Sequence, residues 1–478
     1  MSAPLADSLV KASAVDAARE ALEGRDSVWV VGGAVRDAAL GRDVVDVDLA
    51  VENDPAAVAR AIARASGGTA FSLSEEFGTW RALGPGWHVD ATELRGGSIE
   101  ADLALRDFTV NSIAVALSDP AAAPLDPTGG LGDLDARLLR ASSERSFADD
   151  PLRVLRAARL ASTLGFELDP GTVELARASA DRTGEPAGER QLAELRLLIT
   201  GDDPLRGLEL LDEVGGTAGV LPELEALRGV EQNPNHHLDV HSHTIEVLRQ
   251  LLEVESDLDR YAGDRVQELR DLLAEPLADD LSRGDALRFG AVVHDMGKPA
   301  TRGRHGDYIT FIGHDREGAV IVGDLCERLK ASRRLTRYLQ GLTLNHLRLG
   351  FLIRERPLPS RRVYEYLRDT DPVSADVTLL TVADRLAARG QGPIAGPEMV
   401  QAHLELAREM LGAALDWKRD GPPKSPIPGD ELAAELEIEP GPELGRIIDE
   451  VEAAVYTGEV TGRDDAVAFA RRVVETPG

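Results

Sequence analysis

The period of the hydrophobic pattern changes once along this chain, near Asp150. Before this point, short β-rich runs such as VWVVGG, VVDVDLAV and FTVNSIAVAL alternate with helical stretches such as PAAVARAIARASG. After it, apolar residues recur at helical spacing almost throughout. Because strands bury every second residue and helices bury residues about 3.6 apart, the change predicts an α+β region followed by an all-helical remainder.

Composition narrows the class of protein. A chain of 478 residues with 43% hydrophobic and 28% charged residues is typical of a globular protein with several domains. We see no signal peptide and no apolar run long enough to cross a bilayer, so we expect a cytoplasmic protein with no membrane contact. The single cysteine, Cys326, excludes a cysteine-based zinc site. The net charge of −30 opposes nucleic-acid binding unless a local basic surface exists.

Two polar patterns interrupt the first β-rich runs. Asp46 and Asp48 lie two apart, so a strand places both carboxylates on one face. Such pairs hold two Mg²⁺ ions about 3.5–4 Å apart for phosphoryl transfer. Upstream, Gly32 and Gly33 follow a strand and precede a helix, which lets backbone N–H groups approach a phosphate, and Arg36 adds charge. Taken singly, the patterns equally fit a charged strand edge and a plain turn with Arg36 paired to Asp37.

Together, GGAVRD and DVDLAV resemble the head of class II tRNA nucleotidyltransferases and bacterial poly(A) polymerases, members of the polymerase-β-like nucleotidyltransferase superfamily. The resemblance implies a mixed sheet with helices, Mg²⁺ in the head, and CTP, ATP and the tRNA 3′ end as partners. It also implies a third catalytic carboxylate on a neighbouring strand, for which Asp90 in GWHVDAT is the candidate.

Two further segments extend the resemblance. In RDFTVNSIAV, Arg106, Asp107 and Asn111 fall on positions that read the ribose in this family, whereas Leu105 replaces the first of two consecutive arginines and leaves its role unfilled. In DDPLRVLRAARLASTLGF, Asp150 and Arg153 match the pair that reads the nucleobase in place of a template. Asp150 also fits a helix N-cap. Arg156 and Arg159 extend a basic stripe, and Glu189, Arg190 and Glu194 fit the helices that follow.

A second candidate site is a set of histidines and aspartates spread over several apolar helices: His243, His294, Asp295, His314, His346 and Asp384. Neutral imidazoles and carboxylates suit Mg²⁺ or a divalent transition metal. The order of these residues resembles the HD phosphohydrolase superfamily, which implies a metal site and phosphohydrolase activity. His236, His237 and His241 precede the set and fit either supporting positions or a linker.

One segment has a local excess of basic residues and is a candidate for nucleic-acid binding despite the negative net charge of the chain. Between Cys326 and Asp369 there are 11 Arg or Lys residues against 4 Asp or Glu. Lys330, Arg333, Arg334 and Arg337 lie at helical spacing and are candidates to bind an RNA backbone, with Tyr338 placed to stack on a base. A basic face that docks against an acidic domain explains the pattern equally well.

We therefore predict four domains: a nucleotidyltransferase head at 1–140, a helical neck at 141–235, an HD domain at 236–395 and a helical tail at 396–478. The predicted function is template-independent addition of CCA to tRNA 3′ ends from CTP and ATP. Because the segment 92–105 is shorter than the flexible loop expected of CCA-adding members, CC-only addition is the close alternative, followed by poly(A) polymerase. In a different class, the HD site is the main activity and the head only binds RNA. The sequence predicts no oligomeric state.

Overall fold

The computed structural model describes residues 3–25, 27–74, 78–306, 308–392 and 395–475. The chain forms two compact units, Met1–Val220 and Leu221–Gly478. Among the described residues, no helix has the length and apolar character needed to span a membrane.

The first unit is built on a six-stranded sheet. Its strands are β1 Val28–Val31, β2 Asp46–Val51, β3 Ala70–Ser74, β4 Thr79–Gly84, β5 Trp87–Glu93 and β6 Ala114–Ala116, in the order β3-β4-β5-β2-β1-β6. Strands β2 and β5 are parallel, and the other neighbours are antiparallel. Val47 and Leu49 are buried whereas Asp46 and Asp48 are exposed, which confirms the alternation expected along β2.

Six helices accompany this sheet: α1 Ala3–Lys11, α2 Ser13–Ala21, α3 Gly33–Ala39, α4 Pro55–Ala65, α5 Ile99–Ala104 and α6 Gly130–Ala136. Helix α4 begins where the Asp54 carboxylate accepts a hydrogen bond from the Ala57 N–H, with Pro55 in its first turn. It buries Val58 and Ile62 and packs on β4 and β5. The mixed sheet with helices confirms the predicted fold class of this region.

The rest of the first unit is helical: α7 Ser146–Asp149, α8 Leu152–Leu164, α9 Pro170–Arg177, α10 Gly188–Ile199, α11 Pro204–Glu213 and α12 Thr217–Val220, with a short parallel pair β7 Leu138–Leu139 and β8 Glu167–Leu168. Helix α8 packs against α10 and α11. It ends at Gly165, whose φ of +67° is left-handed and is adopted most readily by glycine. Helix α8 is thereby fixed between the sheet region and the helices that follow.

The second unit is almost entirely helical. Its helices are α13 Pro222–Glu225, α14 Val240–Ser256, α15 Leu258–Ala262, α16 Val266–Ala274, α17 Arg283–Val293, α18 Lys298–Thr301, α19 His314–Arg328, α20 Arg333–Asn345, α21 Arg348–Leu352, α22 Ser360–Thr370, α23 Ser374–Ala387, α24 Pro397–Asp420, α25 Gly429–Leu436, α26 Pro442–Thr457 and α27 Arg463–Glu475. Two small hairpins join β9 Pro276–Ala278 to β10 Leu281–Ser282 and β11 Gly303–His305 to β12 Tyr308–Thr310.

Helix α23 is the centre of this unit, because nearly all of its residues are buried and it packs against α14, α17 and α24. Its Asp376 forms a buried ion pair with Arg283 and accepts a hydrogen bond of 2.8 Å from the Tyr338 hydroxyl. Tyr338 is only 5% exposed. The expectation that Tyr338 stacks on a base is therefore wrong, since its ring and hydroxyl are committed to the core.

Candidate active sites

Three carboxylates lie on the two central strands of the sheet in the first unit. Asp46 and Asp48 share a face of β2, and the parallel register of β5 places Asp90 directly opposite Asp48. Arg81 donates two hydrogen bonds to Asp90, at 2.7 and 2.6 Å, and His88 Nδ1 lies 2.8 Å from Asp46 Oδ1. Asp90 was proposed from the sequence as the third carboxylate. Arg81 and His88 were not proposed, because their positions beside the carboxylates depend on how the strands pair.

The Asp48 carboxylate is the least satisfied of the three. Among the described residues, no side chain donates a hydrogen bond to it, although it faces an open cavity. Although Asp48 is exposed where it faces this cavity, the protein packed around its carboxylate raises its pKa above the ordinary value; nearby Asp90 acts in the same direction, and Arg106 opposes both. Because a bound cation relieves repulsion between adjacent carboxylates, these residues fit a divalent metal.

Gly32 approaches this carboxylate closely. It has a φ of +71° and a ψ of −135°, a conformation essentially restricted to glycine. A Cβ added there would lie 3.1 Å from Asp48 Oδ2 and 3.0 Å from Arg106 Nη1. Gly33 is different, because a Cβ at that position would meet Arg36 Nη2 at an ordinary 3.5 Å. Only the first glycine of the pair is required by the geometry.

Arg36 joins the turn to the ribose motif. It pairs with Asp37 through Nε and Nη2, at 2.9 and 2.8 Å, as the plainer interpretation of this sequence expected. Its Nη1 also donates to Asn111 Oδ1 at 2.8 Å, and Asn111 Nδ2 donates to Asp107 Oδ1 at 3.0 Å. Arg36 is therefore held in place from two sides.

The same network continues into the helices that follow. Arg156 donates to Asp107 Oδ2 from Nε and Nη2, at 3.1 and 2.7 Å, and to Glu194 at 2.6 Å. Burial opposes ionisation of Asp107, but Arg156 and Asn111 hold the pKa of its carboxyl below the ordinary value. Arg159 Nε donates to Glu194 at 2.7 Å. The predicted basic stripe is thus a buried network of ion pairs.

A cavity of about 220 Å³ lies beside this network. It is lined by two aspartates and five arginines: Arg95, Arg106, Asp107, Asp150, Arg153, Arg156 and Arg190. Five of these residues were singled out as nucleotide-binding from the sequence, whereas Arg159 lies outside the lining. The cavity is strongly cationic, as a site for a polyanionic ligand requires.

Asp150 and Arg153 are both anchored within this cavity. Asp150 Oδ1 accepts a hydrogen bond from the Leu152 N–H at 3.2 Å, and its Oδ2 accepts one from Arg190 at 2.7 Å. Asp150 therefore combines a hydrogen bond from the first residue of α8 with an ion pair, whereas the N-cap position expected for it is occupied by Pro151. Arg153 donates to the carbonyl oxygens of Leu105 and Arg106, at 2.9 and 3.1 Å. These bonds fix both side chains relative to the backbone of the ribose motif.

A second cavity, of about 250 Å³, is lined by Asp48, Asp102, Arg95 and Arg106 among others. Arg95 and Arg106 line both cavities. The buried Asp102 carboxylate accepts hydrogen bonds from Arg95 Nε at 2.9 Å and Arg106 Nε at 3.0 Å. Arg95 thus places a second guanidinium beside Arg106, outside the motif in which Leu105 replaces the first arginine. Asp102 was not singled out from the sequence, although its i,i+4 spacing from Arg106 on a helix indicates an ion pair between them.

In the second unit, the six predicted histidines and aspartates form two adjacent groups. One contains His243, His294 and Asp384, and the other contains Asp295, His314 and His346; in each group the candidate ligand atoms lie within 4.8 Å of one another. His314 Nε2 is 3.4 Å from Asp295 Oδ1, and His294 Nε2 is 3.2 Å from Asp295 Oδ2. Asp295 therefore lies between the groups.

Backbone contacts orient three of these imidazoles. The Nδ1 atoms of His294, His314 and His346 lie 2.8, 2.7 and 2.6 Å from carbonyl oxygens three residues earlier, so each Nδ1–H donates to a carbonyl. The Nε2 atoms are then free to point towards the centre as metal ligands. Burial lowers the pKa of His346 to about 4, which keeps that ring neutral.

The centre of the cluster contains orphaned polar atoms. Asp295 Oδ1 and His294 Nε2 are buried without a hydrogen-bond partner among the described residues, and Asp295 Oδ2 has ion-pair contacts but no well-aligned hydrogen bond. Lys298 Nζ lies 2.6 Å from Asp295 Oδ2 as an ion pair, and this residue was missed in the sequence. Buried polar groups normally have partners, so the convergence fits one or two divalent cations held by these residues.

The three histidines that precede the cluster differ in position. The His236 ring packs at 4.6 Å, centroid to centroid, on His243. His237 is exposed, and His241 Nε2 lies 3.5 Å from an Arg228 nitrogen. Only His236 supports the cluster directly.

The candidate RNA-binding residues Lys330, Arg333, Arg334 and Arg337 are all exposed. None of the four forms an ion pair within the part of the chain that the structure describes. Most other basic residues of this segment do: Arg348, Arg356, Arg361, Arg362 and Arg368 each pair with an aspartate or glutamate. The unpaired positive charge of this segment is therefore concentrated at the start of α20.

Family models match three parts of the chain. They are described as the poly A polymerase head domain, at residues 28–96 and 84–140, the probable RNA and SrmB-binding site of polymerase A, at 165–227, and the HD domain, at 240–389.

Similar proteins extend over almost the whole chain. The A-adding tRNA nucleotidyltransferase of Deinococcus radiodurans is 36% identical, over 94% of this chain and 96% of that protein. The CC-adding tRNA nucleotidyltransferase of Thermus thermophilus is 34% identical, over 92% of both chains. The multifunctional CCA protein of Xanthomonas campestris pv. campestris is 32% identical, over 85% of this chain and 96% of that protein.

Solved structures share the fold. A CCA-adding enzyme in complex with CTP has a TM-score of 0.63 at 19% identity, over 99% of both chains. The Thermotoga maritima CCA-adding enzyme complexed with tRNA has a TM-score of 0.58 at 18% identity, over 98% of both chains. At such low identity this similarity concerns the fold alone.

Proposed function

This chain belongs to the family of class II tRNA nucleotidyltransferases and bacterial poly(A) polymerases, in the form that carries an HD domain, and we propose that it adds CMP and AMP to tRNA 3′ ends without a template. The observation that carries the proposal is one continuous polar site. It runs from Asp48 and Asp90, through Arg106 and Asp107, to the cavity of Asp150 and Arg153.

The reaction joins the tRNA 3′-oxygen to the α-phosphorus of the nucleotide and breaks the α–β phosphoanhydride bond, releasing pyrophosphate. Mg²⁺ held by Asp46, Asp48 and Asp90 would supply the charge neutralisation that this step requires. Gly32 keeps the turn close to the Asp48 carboxylate. Arg95 and Arg106 line both cavities and are placed to neutralise the triphosphate.

Nucleobase choice rests on Asp150 and Arg153. A carboxylate accepts from the exocyclic amine of cytosine or adenine, and a guanidinium donates to the adjacent ring acceptor. Guanine and uracil offer the opposite pattern at these positions. Asp107 and Asn111 are the polar groups that face the ribose, and the network through Arg156 and Glu194 holds them in place.

Which nucleotide is added last must be tested directly. Relatives that are similarly identical to this chain are named as A-adding, CC-adding and multifunctional CCA proteins. These names do not favour CC-only addition over CCA addition. The observation behind the CC-only alternative is local: strand β5 ends at Glu93 and helix α5 begins at Ile99, which leaves residues 94–98 as the whole connection.

Three tRNA transcripts that end before CCA, after C and after CC separate these alternatives when CTP and ATP are supplied singly and together. CCA addition predicts completion of all three transcripts. Addition of C but never A supports CC-only activity, and addition of A only to the CC end supports A-only activity. Long A tails on unrelated RNA support a poly(A) polymerase.

A second activity, metal-dependent phosphohydrolysis, is supported by the two ligand groups around Asp295. Asp46→Ala should abolish nucleotide addition and leave phosphohydrolysis intact. Retained nucleotide addition in this variant would show that the assignment of the head is wrong. Phosphohydrolysis by a wild type that adds no nucleotides would favour the different-class alternative, in which the HD site is the main activity. The metal in each site, the four domain boundaries and a cytoplasmic location are further parts of the proposal.

A further inference from the structure

A cavity of about 430 Å³ opens beside the histidine and aspartate cluster of the second unit. His346 and Asp384 are part of its wall, and they belong to different ligand groups of the cluster. A molecule in this cavity would therefore reach both groups. Among the other lining residues, only His236 was considered from the sequence, where it fitted either a supporting position or a linker.

The cavity contains a buried cation without a partner. Arg385 follows Asp384 on α23 and is only 8% exposed, yet its Nε and Nη2 atoms have no hydrogen-bond partner and form no ion pair among the described residues. Burying an unpaired charge costs stability, and such groups are usually satisfied by a neighbour or by a ligand. The guanidinium thus presents unused donors to whatever occupies the cavity.

The neutral polar groups around Arg385 do not replace this missing partner. His403 Nε2 lies 3.3 Å from Thr381 Oγ1, while its Nδ1 is buried without a partner. Burial, together with the charge of Arg385, lowers the pKa of His403 to about 4. Asp384, the carboxylate of the lining, contacts His243 and forms no ion pair with Arg385 among the described residues. The ligand that fits the free donors of Arg385 is therefore an anion.

Part of the cavity lining is apolar, namely Leu347, Phe351, Ile353 and Met399. Phe351 is 73% exposed, which is unusual for a large aromatic side chain and leaves its ring face available for stacking. The lining thus offers hydrogen-bond donors for an anion and apolar surface for a flat organic group.

We propose that this cavity is the substrate subsite of the HD site, in which Arg385 binds the phosphate of a small phosphomonoester and Phe351 covers the ester's aromatic group. The proposal rests on the phosphohydrolase activity proposed above. In that reaction a water oxygen bonds to phosphorus, the ester P–O bond breaks, and the leaving oxygen takes a proton to become an alcohol. Arg385 is a binding residue in this account and transfers no proton.

Binding without turnover tests the subsite directly. Phenylphosphonate cannot be hydrolysed at an ester bond, and methylphosphonate lacks the ring. Titration calorimetry of the full-length protein should show phenylphosphonate binding that weakens at least tenfold in Arg385→Met and is partly retained in Arg385→Lys. Phe351→Ala should weaken phenylphosphonate binding but leave methylphosphonate binding unchanged.

Arg389→Ala is the matched control, because Arg389 is an exposed arginine four residues later, just beyond the end of α23, and it does not line the cavity. Its binding of both phosphonates should equal that of the wild type. Thermal unfolding without ligand separates binding from a structural role: removing an unpaired buried charge should leave Tm unchanged or raise it. A lower Tm in Arg385→Met would identify Arg385 as structural and overturn the proposal.

Two further results would overturn it: no phenylphosphonate binding by the wild type, or equal binding by wild type and Arg385→Met. Hydrolysis of phenyl phosphate is measured separately. Binding that depends on Arg385 without any hydrolysis supports the subsite and rejects the phosphohydrolase activity. Hydrolysis that is insensitive to Arg385→Met supports the activity and rejects the subsite.

Discussion

At the scale of single residues, the geometry of the first site requires a glycine at position 32 but not at position 33. Its backbone conformation costs a side-chain-bearing residue of the order of 1–3 kcal/mol. An added Cβ would also press on Asp48 Oδ2 at 3.1 Å. We expect Gly32→Ala to lose most nucleotide addition, measured as kcat/KM for CTP, while Gly33→Ala retains it. Equal loss in both variants would contradict this assignment.

Asp107 gives a prediction about stability and pH. Its pKa is held below the ordinary value, so its contribution is fully present above about pH 4, the unfolded pKa, and is lost as pH falls towards the folded pKa. Asp107→Asn leaves Arg156 partly unpaired and should cost roughly 3 kcal/mol at pH 7. Urea unfolding of both proteins should show this gap closing below about pH 4. A gap that is independent of pH would exclude the ion pair as its cause.

At the scale of elements, the short connection between β5 and α5 determines where Arg95 lies. Asp102 of α5 holds both Arg95 and Arg106, and together they line both cavities. A lost charged contact of about 1.5–3 kcal/mol corresponds to roughly tenfold or more in affinity. Arg95→Ala should therefore raise KM for CTP and ATP by about this factor.

The matched control for Arg95 is Arg145→Ala, because Arg145 is 83% exposed and pairs only with Asp149 of its own helix turn among the described residues. Its KM values should equal those of the wild type. A change confined to one of the two nucleotides in Arg95→Ala would show that Arg95 reads the base, and would contradict its assignment to the triphosphate.

The start of α20 is the element predicted to bind RNA. Each cation that contacts a phosphate changes the slope of log K against log salt by about 0.7–0.9. Replacing Lys330, Arg333, Arg334 and Arg337 with Ala should weaken tRNA binding and reduce this slope by about 3. A control that removes Arg356, Arg361, Arg362 and Arg368, which are already paired, should change the slope less. Similar slopes in both variants would contradict the assignment.

At the scale of the whole molecule, the alternation along one strand predicted the positions of Asp46 and Asp48, and the order of six histidines and aspartates, which resembles that of the HD superfamily, predicted the histidine cluster. Features that depend on packing between elements could not be predicted. The parallel register that pairs Asp48 with Asp90 and the cavity around Arg385 join segments distant in sequence, and the position of Arg95 beside Arg106 depends on the turn between β5 and α5. The prediction that Tyr338 stacks on a base was wrong for the same reason, since its buried partner Asp376 lies on another helix.

In this account the first unit adds nucleotides, and the histidine and aspartate cluster of the second unit takes no part in this step. The most direct measurement extends tRNA lacking CCA with CTP and ATP, using wild type, Asp48→Asn and Asp295→Asn. The account predicts CCA addition by wild type and Asp295→Asn and no addition by Asp48→Asn. Extension by Asp48→Asn at the wild-type rate, or loss of extension in a folded Asp295→Asn, would contradict it.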